Sequence, residues 1–156
     1  MADDKMKQAR KMFDTLCGAL DADNLVYSKN EEEMSVSLSF AGDEFSFDIE
    51  ITADAERECI RLVSPLPFTF RESRRREGAL VTGFANYTLR EGCFDNVYER
   101  GKVYFRMTES YRDSLLSGAS FAFMVRLAAN TVQKFCERFL LVSFGKMSVE
   151  EFCAAE

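Results

Sequence analysis

Between Met34 and Thr52 the apolar residues recur at every second position, and no other feature of the chain constrains its fold so tightly. Met34, Val36, Leu38 and Phe40 alternate with serines. Ala41-Gly42-Asp43-Glu44 then supplies turn residues. Phe45, Phe47, Ile49 and Ile51 follow, alternating with Ser46, Asp48, Glu50 and Thr52. A period of two with a turn in the middle is a β-hairpin with one apolar and one polar face. The apolar face must be covered by something else in the chain. A third strand is expected over Cys59 to Val63, after a turn near Asp54 to Arg57. It is expected to end at Pro65 and Pro67, because proline has no N–H to give a ladder.

The covering elements are helices. From Asp3 to Leu20 the residues Met6, Ala9, Phe13, Leu16, Cys17 and Leu20 fall at three- and four-residue steps, which is one face of a helix. Asp21-Ala22-Asp23-Asn24 ends it. Thr69-Phe70-Arg71-Glu72 has capping-box spacing, so a second helix is expected from there to about Arg90, with Leu80, Phe84 and Tyr87 inward and Gly92 just past its end. Cys93 to Tyr98 and Lys102 to Thr108 read as a second hairpin around Glu99-Arg100-Gly101, with Val103, Phe105 and Met107 inward. Ser117 or Ser120 opens a third helix to about Leu141. Its inward positions are Phe121, Met124, Val125, Ala128, Val132, Phe135 and Phe139. Gly145 breaks it, and Ser148-Val149-Glu150-Glu151 is a second capping box before a short helix carrying Phe152. The expected order is α-β-β-β-α-β-β-α with that short helix appended: an α+β class in which an antiparallel sheet is packed with helices.

At 156 residues the chain is the size of one ordinary domain, and residues 1–156 are read as one, without internal linkers or repeats. The 47% hydrophobic content suffices for a core without disulfides or structural metal. The five cysteines, Cys17, Cys59, Cys93, Cys136 and Cys153, are scattered and odd in number, which fits small core residues in a reducing compartment. A net charge of −6 disfavours nucleic acid and anionic lipid. The opening residues lack the apolar run of a signal peptide. The longest near-apolar stretch, Ala119 to Ala129, is broken by Arg126 and is too short to span a bilayer. A cytoplasmic location is expected.

The chain contains no histidine. Ser-His-Asp triads, Cys-His pairs and histidine metal sites are therefore excluded. No phosphate-binding glycine pattern occurs either. Asp48 and Glu50 share the polar face of one strand, about 7 Å apart by strand geometry, and suit either a solvated face or a carboxylate pair. Glu31-Glu32-Glu33 reads as a solvated loop without the spacing of a calcium site. Cys93 is the best-placed thiol for a nucleophile, with a small packing residue as the bland alternative. Arg74-Arg75-Arg76 spreads around a helix instead of forming one patch, and pairing with Glu72, Glu77 or a partner's acidic groups suits it. No catalytic residue, cofactor or metal is assigned.

Two segments carry more apolar area than their places require. Ser64-Pro65-Leu66-Pro67-Phe68-Thr69-Phe70 sets Leu66, Phe68 and Phe70 where a loop and a helix start are expected. Phe123, Leu127 and Leu140 widen the apolar face of the third helix beyond one stripe. Both features suit closure over the core or a partner surface. Leu66, Phe68, Phe70, Phe123 and Leu127 are the candidate partner-binding residues.

The stretch Asn86-Tyr87-Thr88-Leu89-Arg90-Glu91-Gly92-Cys93-Phe94-Asp95, with Gly101-Lys102-Val103-Tyr104-Phe105-Arg106, resembles the YbjN-like family of small bacterial domains. An asparagine late in the second helix, a glycine-aromatic strand and a glycine-led following strand carry the likeness. The family is similar in fold to the type III secretion chaperones, which are small, acidic and homodimeric. The resemblance implies a non-enzymatic protein-binding or regulatory module, homodimeric, whose partner is another protein or peptide. It carries over no catalytic residue. A secretion chaperone for an effector is the first alternative, and a small histidine-free enzyme using carboxylates or Cys93 is the second.

Overall fold

The computed structural model describes residues 1–155. Its elements are α1 (Ala2–Ala22), β1 (Ser28–Asn30), β2 (Ser35–Ala41), β3 (Ser46–Asp54), β4 (Cys59–Thr69), α2 (Arg75–Thr88), β5 (Cys93–Val97), β6 (Lys102–Ser110), α3 (Gly118–Ser143) and α4 (Val149–Ala154). The strands form one six-stranded antiparallel sheet in the order β1-β2-β3-β4-β6-β5. The helices pack on one face of it, and among the described residues no element covers the opposite face.

The hairpin forms in the register that its alternation demands, with Val36 opposite Ile51, Leu38 opposite Ile49 and Phe40 opposite Phe47. Val36, Leu38, Phe47, Ile49 and Ile51 are all buried. β4 and β6 extend the same apolar layer with Ile60, Leu62, Leu66, Val103, Phe105 and Met107. From the helical side, α1 contributes Ala9, Met12, Phe13, Leu16 and Leu20, while α3 buries Phe121, Met124, Val125, Ala128, Val132, Phe135 and Phe139. α3 begins at Ser117, whose side chain accepts from the Ser120 N–H, and α4 begins in a complete capping box between Ser148 and Glu151.

The third strand does not stop at the prolines. β4 continues through Pro65 and Pro67 to Thr69, paired with β6, and its register shifts between Pro65 and Thr69. β3 leaves β4 after Glu50 pairs with Val63. Beyond that point β4 has a neighbour on one side only, and a residue without an N–H is tolerated on such an edge or at a bulge. The second helix also differs from expectation. Thr69 belongs to β4, so the Thr69–Glu72 box does not form. A 3-10 turn at Glu72–Arg74 leads into α2 without a side-chain cap. α2 ends at Thr88, two residues short of Arg90. β1 is the one additional strand, and its sequence Ser-Lys-Asn has no apolar residue to announce it.

α2 is also turned relative to its large apolar residues. Gly78, Val81, Thr82 and Ala85 face inward, and Leu80 and Tyr87 face out. The reason is volume. The space beneath α2 is filled by Phe70, Phe94, Phe135, Phe139 and Phe152, whose neighbouring rings meet at centroid distances from 5.1 to 6.4 Å. A Cβ on Gly78 would lie 2.9 Å from the Phe70 ring. Only small side chains fit between this cluster and the helix backbone.

Candidate partner-binding surface

The structure divides the five candidate residues. Leu66 and Phe70 are only 6% and 2% exposed and point into this chain's own core. Phe68 is half-buried and packs edge-on against Phe70 at 5.8 Å. On α3, Phe123 is 49% exposed and Leu127 is half-buried. Phe123 lines an open groove of about 390 Å³ with Leu116, Ala119, Ser120, Met124 and Glu109. Leu115, also exposed, lies in the loop leading to α3.

A second apolar surface was assigned to the core by its spacing. Leu80 is 54% exposed and Tyr87 is 86% exposed. With half-buried Phe84 and exposed Gly83 they form one stripe, about two turns long, on the outer side of α2. Phe84 rests its inner side on Phe152, 6.2 Å away ring to ring. Apart from the helix's own backbone, no atom lies within 4 Å of where a Gly83 Cβ would sit, so another backbone can approach the helix there.

The bare sheet face holds the residues singled out for chemistry. Asp48 accepts from the Ser39 hydroxyl at 2.6 Å, and with Glu50, Ser37, Thr52, Arg61 and Pro65 it lines a shallow open depression. Beside it, Pro65, Pro67, Lys102 and Tyr104, with the candidate residues Leu66 and Phe68, border a cleft of about 480 Å³. At the β5–β6 side, Arg106 holds Asp95 with two bonds, Nε to Oδ2 at 2.6 Å and Nη2 to Oδ1 at 3.2 Å. The Cys93 thiol donates to Asp95 at 3.6 Å and accepts from Arg106 at 3.4 Å. Burial and the Asp95 carboxylate push the Cys93 thiol above its ordinary range, against the opposing pull of Arg106. A thiol held protonated is a poor nucleophile, so these neighbours work against the reactive reading of Cys93.

The charge runs have local partners. Glu31 pairs with Lys29 at 2.7 Å and Arg10 at 3.0 Å, while Asn30 Oδ1 accepts from the Glu32 and Glu33 N–H groups. The hydrogen bond from Lys29 holds the Glu31 carboxyl below its ordinary range. Arg74 meets Glu77 at 3.6 Å and packs its guanidinium over Gly145. Among the described residues no three carboxylates or thiols converge as metal ligands, and no helix is long and apolar enough to cross a membrane.

Two residues to which sequence reasoning gave no role are tied into the fold by hydrogen bonds to the backbone. Tyr111 is fully buried, gives its hydroxyl to Asp54 O at 2.9 Å and its N–H to Glu58 O at 3.0 Å, and takes Gln8 on its own carbonyl. Asn86, at the end of α2, bonds both backbone groups of Phe94. Its Nδ2 donates to Phe94 O at 2.8 Å and its Oδ1 accepts from Phe94 N at 2.7 Å. Asn86 was legible only as part of a pattern, with no role attached.

An antiparallel sheet with helices on one side only, a long α3 across its centre and a bare outer face define a YbjN-like, secretion-chaperone-like α+β fold. Comparison with solved structures gives that class its particular members. The crystal structure of YbjN from E. coli, a candidate transcription regulator, matches with a TM-score of 0.58 at 17% identity, over 80% of this chain and 88% of that one. A chain of the ExsC–ExsE complex matches with a TM-score of 0.54 at 15% identity, over 81% of this chain and 92% of that one. At these identities the likeness is one of fold. No protein-family profile and no curated protein matches the sequence.

Proposed function

We propose that the chain is a non-enzymatic protein-binding or regulatory module that works as a homodimer and holds another protein or peptide. The observation that carries the reading is the exposed stripe on α2. It is self-complementary about a point between Gly83 and Phe84. In an antiparallel pair of α2 helices around a two-fold axis, Leu80 falls opposite Tyr87 of the second copy and Gly83 opposite Phe84. A two-fold interface requires that reciprocity. Gly83 allows close approach, and the aromatic and aliphatic pair supplies the buried area. A monomer that left this stripe in water would gain nothing from it.

The Phe123 groove is assigned to the partner protein. It lies on α3 and is separate from the α2 stripe. The fold likeness to a candidate regulator and to a chain of a protein–protein complex supports this class of function. The second of those also favours one narrower reading, a secretion chaperone for an effector. The test is capture from the native host, comparing wild type with Phe123→Asp at matched folding by circular dichroism. A protein retained by wild type and lost with Phe123→Asp supports the assignment. Identical captured sets contradict it.

A further inference from the structure

A sheet ends where its last strand has free N–H and C=O groups, and such an edge invites another strand. Here the two ends are β1 and β5. β1 is only three residues long and fully exposed, and shortness alone makes it a poor template. β5 has five residues, Cys93–Val97, and pairs with β6 alone. No charge on β5 guards its outer side, because Asp95 is turned onto the bare sheet face and held there by Arg106.

In an antiparallel strand the N–H and C=O of one residue point to the same side, and successive residues alternate. Asn86 takes both groups of Phe94. Phe94 therefore turns its backbone away from β6, and it sits at the second position of β5. By the same alternation Asn96 also turns its backbone outward, and its side chain is drawn to α2 through the Thr82 hydroxyl at 3.2 Å. One carboxamide presents a donor and an acceptor, as the peptide unit of a neighbouring strand would.

We propose that Asn86 is an edge lock: its side chain stands in for a seventh strand and keeps β5 from pairing with β5 of a second copy. This function goes beyond the α2 dimer and does not depend on it. It assigns a reason to the placement of an asparagine at the end of α2, where it is otherwise a mediocre helix former.

The test uses Asn86→Ala and the near-isosteric Asn86→Asp, which keeps the acceptor but loses the donor to Phe94 O. Light scattering over a concentration series should show the folded variant associating beyond the wild-type state. In Asn86→Ala, at concentrations too low for association, the Phe94 amide should exchange with solvent on the order of tenfold faster, while amides facing β6 keep their protection. Asn96→Pro added to either variant removes an outward N–H without touching the β6 ladder, and it should reverse the association. An unchanged mass in a folded variant, or association that survives Asn96→Pro, overturns the proposal. If neither variant folds, Asn86 is a packing residue of the monomer and the proposal fails.

Discussion

Cys136 and Tyr111 show how the interior handles groups that can ionise. Burial alone pushes the Cys136 thiol from 9.0 up to about 12. Burial, helped by nearby acidic groups, takes the Tyr111 hydroxyl from 10.0 to about 12. In the unfolded chain each loses its proton near the lower value, and in the folded chain near the higher one. Between them the folded state binds more protons, so its stability falls as pH rises. The contribution is complete below about pH 9 and gone by about pH 12. Urea titrations across that range should show progressive loss, with Cys136→Ala flattening the onset. A stability that stays level from about pH 8 to about pH 11 contradicts this account. Cys136 was legible as a buried thiol from composition. Tyr111 was not, because it follows the end of a strand in a polar stretch and its burial depends on α1 and the β3–β4 turn closing around it.

α4 is the shortest of the α-helices. Its six residues fold because Ser148 and Glu151 cap each other and because Phe152, fully buried, completes the aromatic cluster under α2. Arg138 lies over the Phe152 ring at 4.2 Å and also donates to its carbonyl. Phe152→Ala should cost about 3–5 kcal/mol in denaturant unfolding, and a loss below about 1 kcal/mol would mean that α4 frays in solution. The capping box was legible because two residue types three apart carry its whole mechanism. The identical spacing at Thr69–Glu72 misled, because β4 runs through the prolines and claims Thr69 for pairing with Lys102. α2 misled in phase for a related reason. Its large residues have helical spacing, but which side faces inward depends on how much room five distant phenylalanines leave, and local periodicity holds no record of that.

For the whole molecule, the alternation between Met34 and Thr52 was enough to demand a sheet with one covered face, and the helical stripes of α1 and α3 were enough to say what covers it. The strand order was not legible, since β6 inserts between β4 and β5 through contacts far apart in the chain. Of the candidate surface residues, Phe123 is exposed while Leu66 and Phe70 are buried, and the exposed α2 stripe lay hidden among residues assigned inward. The central claim is that this stripe joins two copies of the chain. Size-exclusion chromatography with light scattering at micromolar concentration tests it most directly. The account predicts wild type at twice the 17.8 kDa chain mass and Leu80→Glu with Tyr87→Glu at 17.8 kDa with unchanged circular dichroism. A wild type that is strictly monomeric, or a double variant that stays dimeric, would contradict it.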